Sequence, residues 1–193
     1  MNPSRRGVLV ALALLAAGCA EPPIAPAPVA GARTAPPASF RLEGRVSVKS
    51  GEESFSGGIA WRHVPDADEI LLTTPLGQGV AELRITPQGA NLVDGKGRQH
   101  AAPDTASLLR QTLGVELPLQ GLVWWALGRP RPDAPAHEEF DAAGQVARME
   151  QDGWRIEFAR HARQQGYLLP GRLIARRGED LEVRLVADAW ELP

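Results

Sequence analysis

The chain has 193 residues, of which 44% are hydrophobic and 23% charged, so it is long enough to fold around a core of its own. Its 21 basic and 23 acidic residues give a formal net charge of −2, which excludes a basic nucleic-acid-binding protein and a highly charged disordered chain. The single cysteine excludes an internal disulfide.

Residues 1–18 have the features of a cleavable export signal. Arg5 and Arg6 precede an apolar run at residues 8–17. Ten helical residues span about 15 Å, roughly half of a bilayer core, so this run is too short for a transmembrane anchor. The paired arginines also resemble a twin-arginine signal, and the sequence leaves the general and twin-arginine export routes open. Either route carries the chain beyond the cytoplasmic membrane.

The small residues Ala16, Ala17 and Gly18 lead directly into Cys19, and this arrangement resembles the lipobox of bacterial lipoproteins. There the thiol takes a diacylglycerol, the preceding peptide is removed and the new amino terminus is acylated. We therefore predict that Cys19 is the lipid attachment site, although an incidental thiol is the alternative. Ala16 departs from the commoner leucine. Ala20, rather than aspartate, follows the cysteine, which by resemblance predicts the outer membrane.

Residues 19–39 are predicted to be the acylated cysteine and a tether. The segment 20–39 contains six prolines and seven alanines but only two charged residues, so it cannot bury a core. At about 3.1 Å per residue, an extended tether would reach up to roughly 60 Å from the membrane. The folded domain is predicted to occupy residues 40–193.

Alternation of apolar and polar residues predicts short antiparallel strands through most of this domain. The predicted strands cover residues 40–49, 54–61, 69–74, 79–86, 90–94, 146–151, 154–158, 168–176 and 181–189. Two short helices are predicted between them, one capped by Asp104 and containing Leu108, Leu109 and Leu113, the other at residues 119–127.

These elements predict a mainly β fold with α-helices, an unclosed antiparallel β-barrel of about nine to eleven strands whose mouth the helices cover. Such a sheet holds a ligand between its concave face and the helices. Ordinary core packing is the alternative for each residue that faces inward. The candidate residues for an acyl-chain cavity are Phe55, Ile59, Trp61, Leu72, Leu83, Ile85, Leu108, Leu113, Leu122 and Ile156.

No motif for catalysis or for a metal or other cofactor stands out. The four histidines, His63, His100, His137 and His161, lack metal-ligand spacing and are expected in polar surface loops. No serine lies in a nucleophile elbow. The acidic clusters at residues 66–69 and 138–139 are expected to be solvated, although paired catalytic carboxylates stay open. We therefore expect a protein without cofactor or metal, and not an enzyme.

Leu76 is unusual because it lies between Pro75 and Gly77 at a turn, where a polar residue is the norm. It either folds back onto the core or forms an exposed apolar probe that contacts lipid. The turn alone does not separate the two interpretations.

An ordered set of segments across residues 40–190 resembles the LolB family of outer-membrane lipoprotein receptors. The set consists of residues 40–46, Trp61, residues 71–77, 117–119, 125–128 and 151–154, and Trp190. The resemblance implies an unclosed barrel that accepts lipoproteins from the periplasmic carrier LolA and inserts them into the outer membrane. It also implies that Leu76 is the membrane-insertion residue of an exposed loop.

The protein is accordingly expected to be a monomer on the periplasmic face of the outer membrane, anchored by its amino-terminal lipid. Its expected partners are a LolA-type carrier, lipoprotein acyl chains and membrane lipid, with no nucleic acid. Arg45, Lys49 and Arg84 on the outer strand face are a hypothetical docking surface for the carrier, against simple solubility. A structural envelope lipoprotein and a periplasmic hydrolase are the competing interpretations.

Overall fold

A computed structural model of the protein describes residues 35–113 and 117–193. Within these residues, thirteen strands flank two helices that lie in the middle of the chain. The elements are β1 (Phe40–Ser50), β2 (Glu53–Val64), β3 (Ala67–Thr73), β4 (Gly79–Thr86), β5 (Gly89–Asp94), β6 (Gln99–Ala102), α1 (Thr105–Leu113), α2 (Leu119–Ala126), β7 (Ala136–Phe140), β8 (Val146–Gln151), β9 (Trp154–Ala159), β10 (Ala162–Gln164), β11 (Tyr167–Leu169), β12 (Arg172–Arg177) and β13 (Leu181–Glu191).

Eleven of these strands form one antiparallel sheet in the order β6-β5-β4-β3-β2-β1-β13-β12-β9-β8-β7. The strands β10 and β11 pair only with each other among the described strands. The terminal strands β6 and β7 do not pair, so the sheet is open. This confirms the prediction of a mainly β fold with an unclosed antiparallel sheet.

The strand predictions need correction at one interrupted strand and at three strands that were not predicted, β6, β7 and β10. The predicted strand at residues 168–176 is interrupted, because Pro170 has no N–H for a ladder and Gly171 N–H instead donates to the carbonyl of Arg160 at 3.0 Å. The edge strands β6 and β7 were not predicted. Both are short and mostly polar, and they do not show the apolar alternation of a strand with one buried face.

Two glycines allow the central strands to bend closely over their neighbours. A side chain at Gly44 would collide with the carbonyl of Val186 in β13, and one at Gly57 would collide with the carbonyl of Thr73 in β3. The ladder between β1 and β13 shifts its register next to Gly44, as expected at a β-bulge. The close approach of the neighbouring strand's backbone therefore requires glycine at both positions. This approach strengthens the curl of the sheet.

The two helices begin and end close to their predicted bounds. The Asp104 carboxylate accepts hydrogen bonds from the backbone N–H of Ser107 at 2.7 Å and from its hydroxyl at 2.9 Å, which confirms Asp104 as the cap of α1. These bonds lower the pKa of Asp104. In the described part of the chain, no helix is both long and apolar enough to cross a membrane.

The tightly packed part of the core lies where α2 meets β8, β9 and β12. Trp125 and Trp154 are fully buried, with ring centroids 5.9 Å apart. The side chain of Gln151, which is 2% exposed, accepts hydrogen bonds from Trp125 Nε1 and Arg131 N–H and donates to the carbonyls of Arg131 and Ala134. Through these hydrogen bonds, Gln151 holds the proline-rich connection between α2 and β7 against the core.

Candidate functional site: an apolar cavity

A cavity of about 900 Å³ lies between the concave face of the sheet and the two helices. Its volume is in the range of small-molecule binding sites. Apolar side chains from β1, β2, β3, β4, β5 and β13 form the sheet side of its wall, and Leu109, Leu119 and Leu122 extend from the helices. The arrangement provides a large water-excluding surface for a hydrophobic ligand.

One inward position of the cavity wall carries only a methyl group. Leu72 in β3 pairs with Ala81 in β4, and both residues line the cavity. A larger side chain in place of Ala81 would fill part of the hollow. Gly57, which alternation places on the same face as Phe55 and Ile59, leaves no such space, because the Thr73 carbonyl and the Phe55 ring lie where its side chain would be.

The structure places six of the ten predicted lining residues on this wall. They are Phe55, Ile59, Trp61, Leu72, Leu83 and Leu122. Each of them lies on the inward face of a strand or on the helix α2, as the alternation predicted.

Three of the other predicted residues do not line the cavity. Ile156 is fully buried in β9 between Met149 and Ala175, in the packed part of the core. Leu108 is also fully buried, and the neighbouring Leu109 faces the cavity instead. The helical turn separates these two adjacent side chains by about 100°. Ile85 is half-buried and packs against the core. The side chain of Leu113 lies outside the described residues.

Sequence reasoning missed a set of lining residues that come from β1 and β13. Val46 and Val48, which alternation places on one face of β1, line the cavity together with Val183 and Leu185. Alternation alone marks all four as inward-facing. The pairing of β1 with β13, which joins the two ends of the domain, brings them to one cavity and has no local sequence signal.

One side of the wall carries charged groups at the β5–β6 hairpin. Arg98 Nε lies 2.7 Å from Asp94 Oδ2, and His100 Nε2 lies 3.6 Å from the same oxygen. Burial alone would raise the pKa of Asp94, but hydrogen bonds from Arg98 and from the Lys96 N–H outweigh it and lower this pKa to about 2. Asp94 is therefore an anion at neutral pH.

The histidines correct the expectation that all four lie in surface loops. His63 is half-buried in β2, with Nδ1 2.8 Å from Asp68 Oδ1, which also accepts a hydrogen bond from Trp61 Nε1. His100 lines the cavity and His161 is half-buried. Asp68 is accordingly not a solvated member of its acidic cluster. Within residues 35–113 and 117–193, no group of three or more potential ligands could hold a metal.

Leu76 lies at the tip of the β3–β4 hairpin and is 89% exposed. The hairpin closes through hydrogen bonds from Thr74 N–H to the Gln78 carbonyl and from Gly77 N–H to the Thr74 carbonyl. Gly77 has a φ of 84°, a conformation that glycine adopts without strain. The turn is thus complete without Leu76, whose side chain does not fold back onto the core.

The open antiparallel sheet with its two helices is similar in fold to a solved structure. A LolA superfamily protein from Nitrosomonas europaea, NE2245, superposes with a TM-score of 0.54 over 83% of this chain and 88% of its own. The two sequences are 10% identical, so the likeness concerns the fold.

The family described as outer membrane lipoprotein LolB matches residues 38–190, and the chain belongs to this family. The outer-membrane lipoprotein LolB of Thiobacillus denitrificans is 38% identical over 187 residues, 97% of each chain. That of Pseudomonas paraeruginosa is 40% identical over 154 residues, 79% of this chain and 74% of its own. These relationships confirm the family resemblance in the sequence.

Proposed function

We propose that the protein is an outer-membrane lipoprotein receptor that accepts lipoproteins from a LolA-type periplasmic carrier and inserts them into the outer membrane. The observation that carries the proposal is the apolar cavity of about 900 Å³ beneath the helices of a LolB-family fold. The activity is binding and transfer, not catalysis.

The physical need for such a receptor lies in the solvation of acyl chains. Each buried CH₂ contributes about 0.8 kcal/mol, so exposing one long chain to water costs on the order of 10 kcal/mol. A lipoprotein therefore crosses an aqueous compartment only with its chains sheltered. The cavity wall supplies apolar contacts from the sheet and both helices. The direction of transfer then follows from affinity, which increases from the carrier to the receptor and from the receptor to the bilayer.

The proposed anchor is the lipid on Cys19, with the domain on the periplasmic side of the outer membrane at the end of the tether. Cys19 and residues 20–34 lie outside the described residues, and the sequence alone supports this part of the proposal. The protein acts as a monomer in this scheme, because the cavity is formed by the elements of one chain.

Leu76 is proposed to contact the membrane during insertion. Its side chain is exposed and no core contact accounts for it, so an apolar surface such as a bilayer is the natural partner. The hairpin that carries it joins β3 to β4, two strands that also line the cavity. Leu76 therefore links the site that holds acyl chains to the surface that receives them.

The docking surface for the carrier stays a hypothesis. Arg45 pairs with Asp188 and Arg84 pairs with Glu69, both at 2.8 Å and both on exposed strand positions. Lys49 is exposed near the end of β1. Pairing lowers the net charge that Arg45 and Arg84 offer to an acidic partner, so Lys49 is the strongest candidate of the three.

The test is a reconstituted transfer assay. The lipid-anchored protein in liposomes receives an acylated lipoprotein from a loaded LolA-type carrier, and membrane-inserted lipoprotein is measured over time. Leu76→Glu is expected to accept lipoprotein but to slow its insertion about tenfold, while Leu76→Phe stays close to the original rate. Leu168→Glu, at another exposed leucine in β11, is the matched control and should not slow insertion.

Complete failure of the carrier to release lipoprotein to the unaltered protein would refute the transfer function and favour a structural envelope lipoprotein. Equal insertion by Leu76→Glu and the original protein would leave transfer intact but remove Leu76 from it. Hydrolysis of an ester or glycan substrate by the purified protein would instead support the enzyme interpretation.

A further inference from the structure

The wall of the cavity differs in polarity from one side to the other. Among the described lining residues, those from β13 and α2 are all apolar and include Val183, Leu185 and Leu122. The opposite end of the sheet order contributes the charged hairpin between β5 and β6. The last turn of α1, which contacts both of these strands, adds Gln111 and Thr112. Ser50, Glu53 and Ser54 at the β1–β2 hairpin also line the cavity, so polar groups lie at two hairpins. The β5–β6 hairpin is the one that brings a carboxylate, a guanidinium and an imidazole together.

The structure of the β5–β6 hairpin explains the presence of Asp94 but not that of all the polar side chains next to it. The Asp94 carboxylate orders the turn by accepting hydrogen bonds from the backbone N–H groups of Lys96 and Arg98. The guanidinium of Arg98 is held by Asp94 through Nε alone, and its side chain is 66% exposed although the residue lines the cavity. Its terminal nitrogens are donors on a residue that lines the cavity, and the hydrogen bond to Asp94 leaves them available to a ligand.

His100 adds a second polar side chain, and its Nε2 lacks a hydrogen bond to the nearby Asp94 carboxylate. Its imidazole faces the cavity from the edge strand β6, and its Nε2 is 3.6 Å from the nearest Asp94 oxygen, which is beyond hydrogen-bond distance. The pairing of His100 with Leu92 places this ring beside an apolar lining residue. The cluster therefore presents hydrogen-bonding capacity at the boundary of an apolar surface.

We propose that the cluster Asp94–Arg98–His100 binds the ester and amide groups that join the acyl chains of an incoming lipoprotein. Ester and amide carbonyls accept hydrogen bonds from a guanidinium or an imidazole, and the Asp94 carboxylate accepts from an amide N–H. The chains then lie toward β13 and α2, while the acylated cysteine stays at the β5–β6 hairpin. This inference rests on the proposed function and adds an orientation for the ligand.

The orientation is testable with two triacylated lipopeptides that each carry a photoreactive diazirine. One has the diazirine next to the ester carbonyl, the other at the end of an acyl chain. Both are cross-linked to the mature lipid-anchored protein in phospholipid nanodiscs, and the labelled peptides are identified by mass spectrometry. We expect the first probe to label residues 94–112 and the second to label residues 117–122 and 183–185.

Arg98→Met should reduce labelling of residues 94–112 by the first probe at least fivefold and leave labelling by the second probe unchanged. The retained labelling also reports that the fold and the cavity are intact. Arg148→Met is the matched control, because Arg148 is a similarly exposed strand arginine paired with Glu139 far from the cavity. It should change neither pattern.

The outcomes separate this inference from the proposed function. Absence of cavity labelling by both probes would refute the acyl-binding function itself. Labelling of the same peptides by both probes, or a first probe that is insensitive to Arg98→Met, would overturn only the orientation. A phosphatidylglycerol probe with the same diazirine shares the ester groups but lacks the amide N–H that the Asp94 carboxylate accepts, so it should label residues 94–112 less than the lipopeptide does. Equal labelling would overturn the assignment to the lipoprotein head.

Discussion

Two regions of the same sheet differ in how they meet the helices that cover them: one is tightly packed and the other encloses a cavity. Around β8, β9 and β12, side chains such as Met149, Trp154 and Leu173 are almost fully buried. From β1 to β5, some inward residues that border the cavity, such as Ile59 and Leu72, are only half-buried, although Trp61 on the same wall is buried. Inward-facing apolar residues occur in both regions, so hydrophobic patterning alone does not decide whether an interior is packed or hollow.

The difference follows from the size of the residues that face each other. In the packed region, the indole of Trp125 reaches down from α2 onto Trp154 and fills the space above the sheet. In the hollow region, the residue that pairs with Leu72 is Ala81, whose methyl group leaves space. The packed region is therefore expected to supply most of the stability that permits an open interior beside it.

The largest expected effect is a contrast in stability between the two regions. Trp125→Ala removes a fully buried indole and should lower the free energy of unfolding by about 3–5 kcal/mol. Leu72→Ala only enlarges an existing hollow and should cost about 1 kcal/mol. Denaturant unfolding of both variants gives the comparison. Equal costs would show that the hollow region is packed like the other.

A second effect concerns the polar anchor of the packed region. Gln151→Met keeps the size of the side chain but leaves Trp125 Nε1 and three backbone groups of the 131–134 connection without their partner. We expect a loss of about 3 kcal/mol in the free energy of unfolding. Gln99→Met, at an exposed edge position, should change it by less than about 0.5 kcal/mol. Similar values for the two variants would contradict the anchoring role.

The smallest effect is a pH dependence outside the cavity. Burial lowers the pKa of His161, partly offset by Asp141, and its Nε2 has no hydrogen-bond partner among the described residues. The unfolded chain binds a proton near pH 6.5 and the folded chain only at lower pH, so acidification below about 6.5 reduces stability. His161→Phe should flatten this dependence in urea titrations, while His137→Phe, at an exposed position, should not. An unchanged slope for His161→Phe would exclude the effect.

The sequence predicted the parts of this fold that depend on neighbouring residues. Alternation located most strands, and the side-chain chemistry of Asp104 located the start of α1. The turn alone left the exposure of Leu76 open, since it accommodates either direction of the side chain, and only the family resemblance implied an exposed loop. Edge strands escaped prediction because polar residues suffice where one side of a strand meets solvent.

The site was less predictable than the fold because it depends on contacts between distant segments. Ile156 and Ile59 both sit on alternating apolar strands, yet one is packed and the other borders the cavity. The two residues differ in the segment of chain that faces them across the interior. Which segment faces each residue depends on strand pairing between distant parts of the sequence. The polar group of Asp94, Arg98 and His100 has no sequence motif that marks it as a site, and only the folded sheet places it at the cavity wall.

The unpaired ends of the sheet have a mechanical consequence. In a closed barrel, strand number and stagger fix the diameter, because every strand is bonded on both sides. Here β6 and β7 are the free margins of the described sheet, so its girth is not set by a continuous ring of hydrogen bonds. The width of the interior therefore depends on how strongly the sheet curls, and a change in curl alters that width without the loss of a strand pair.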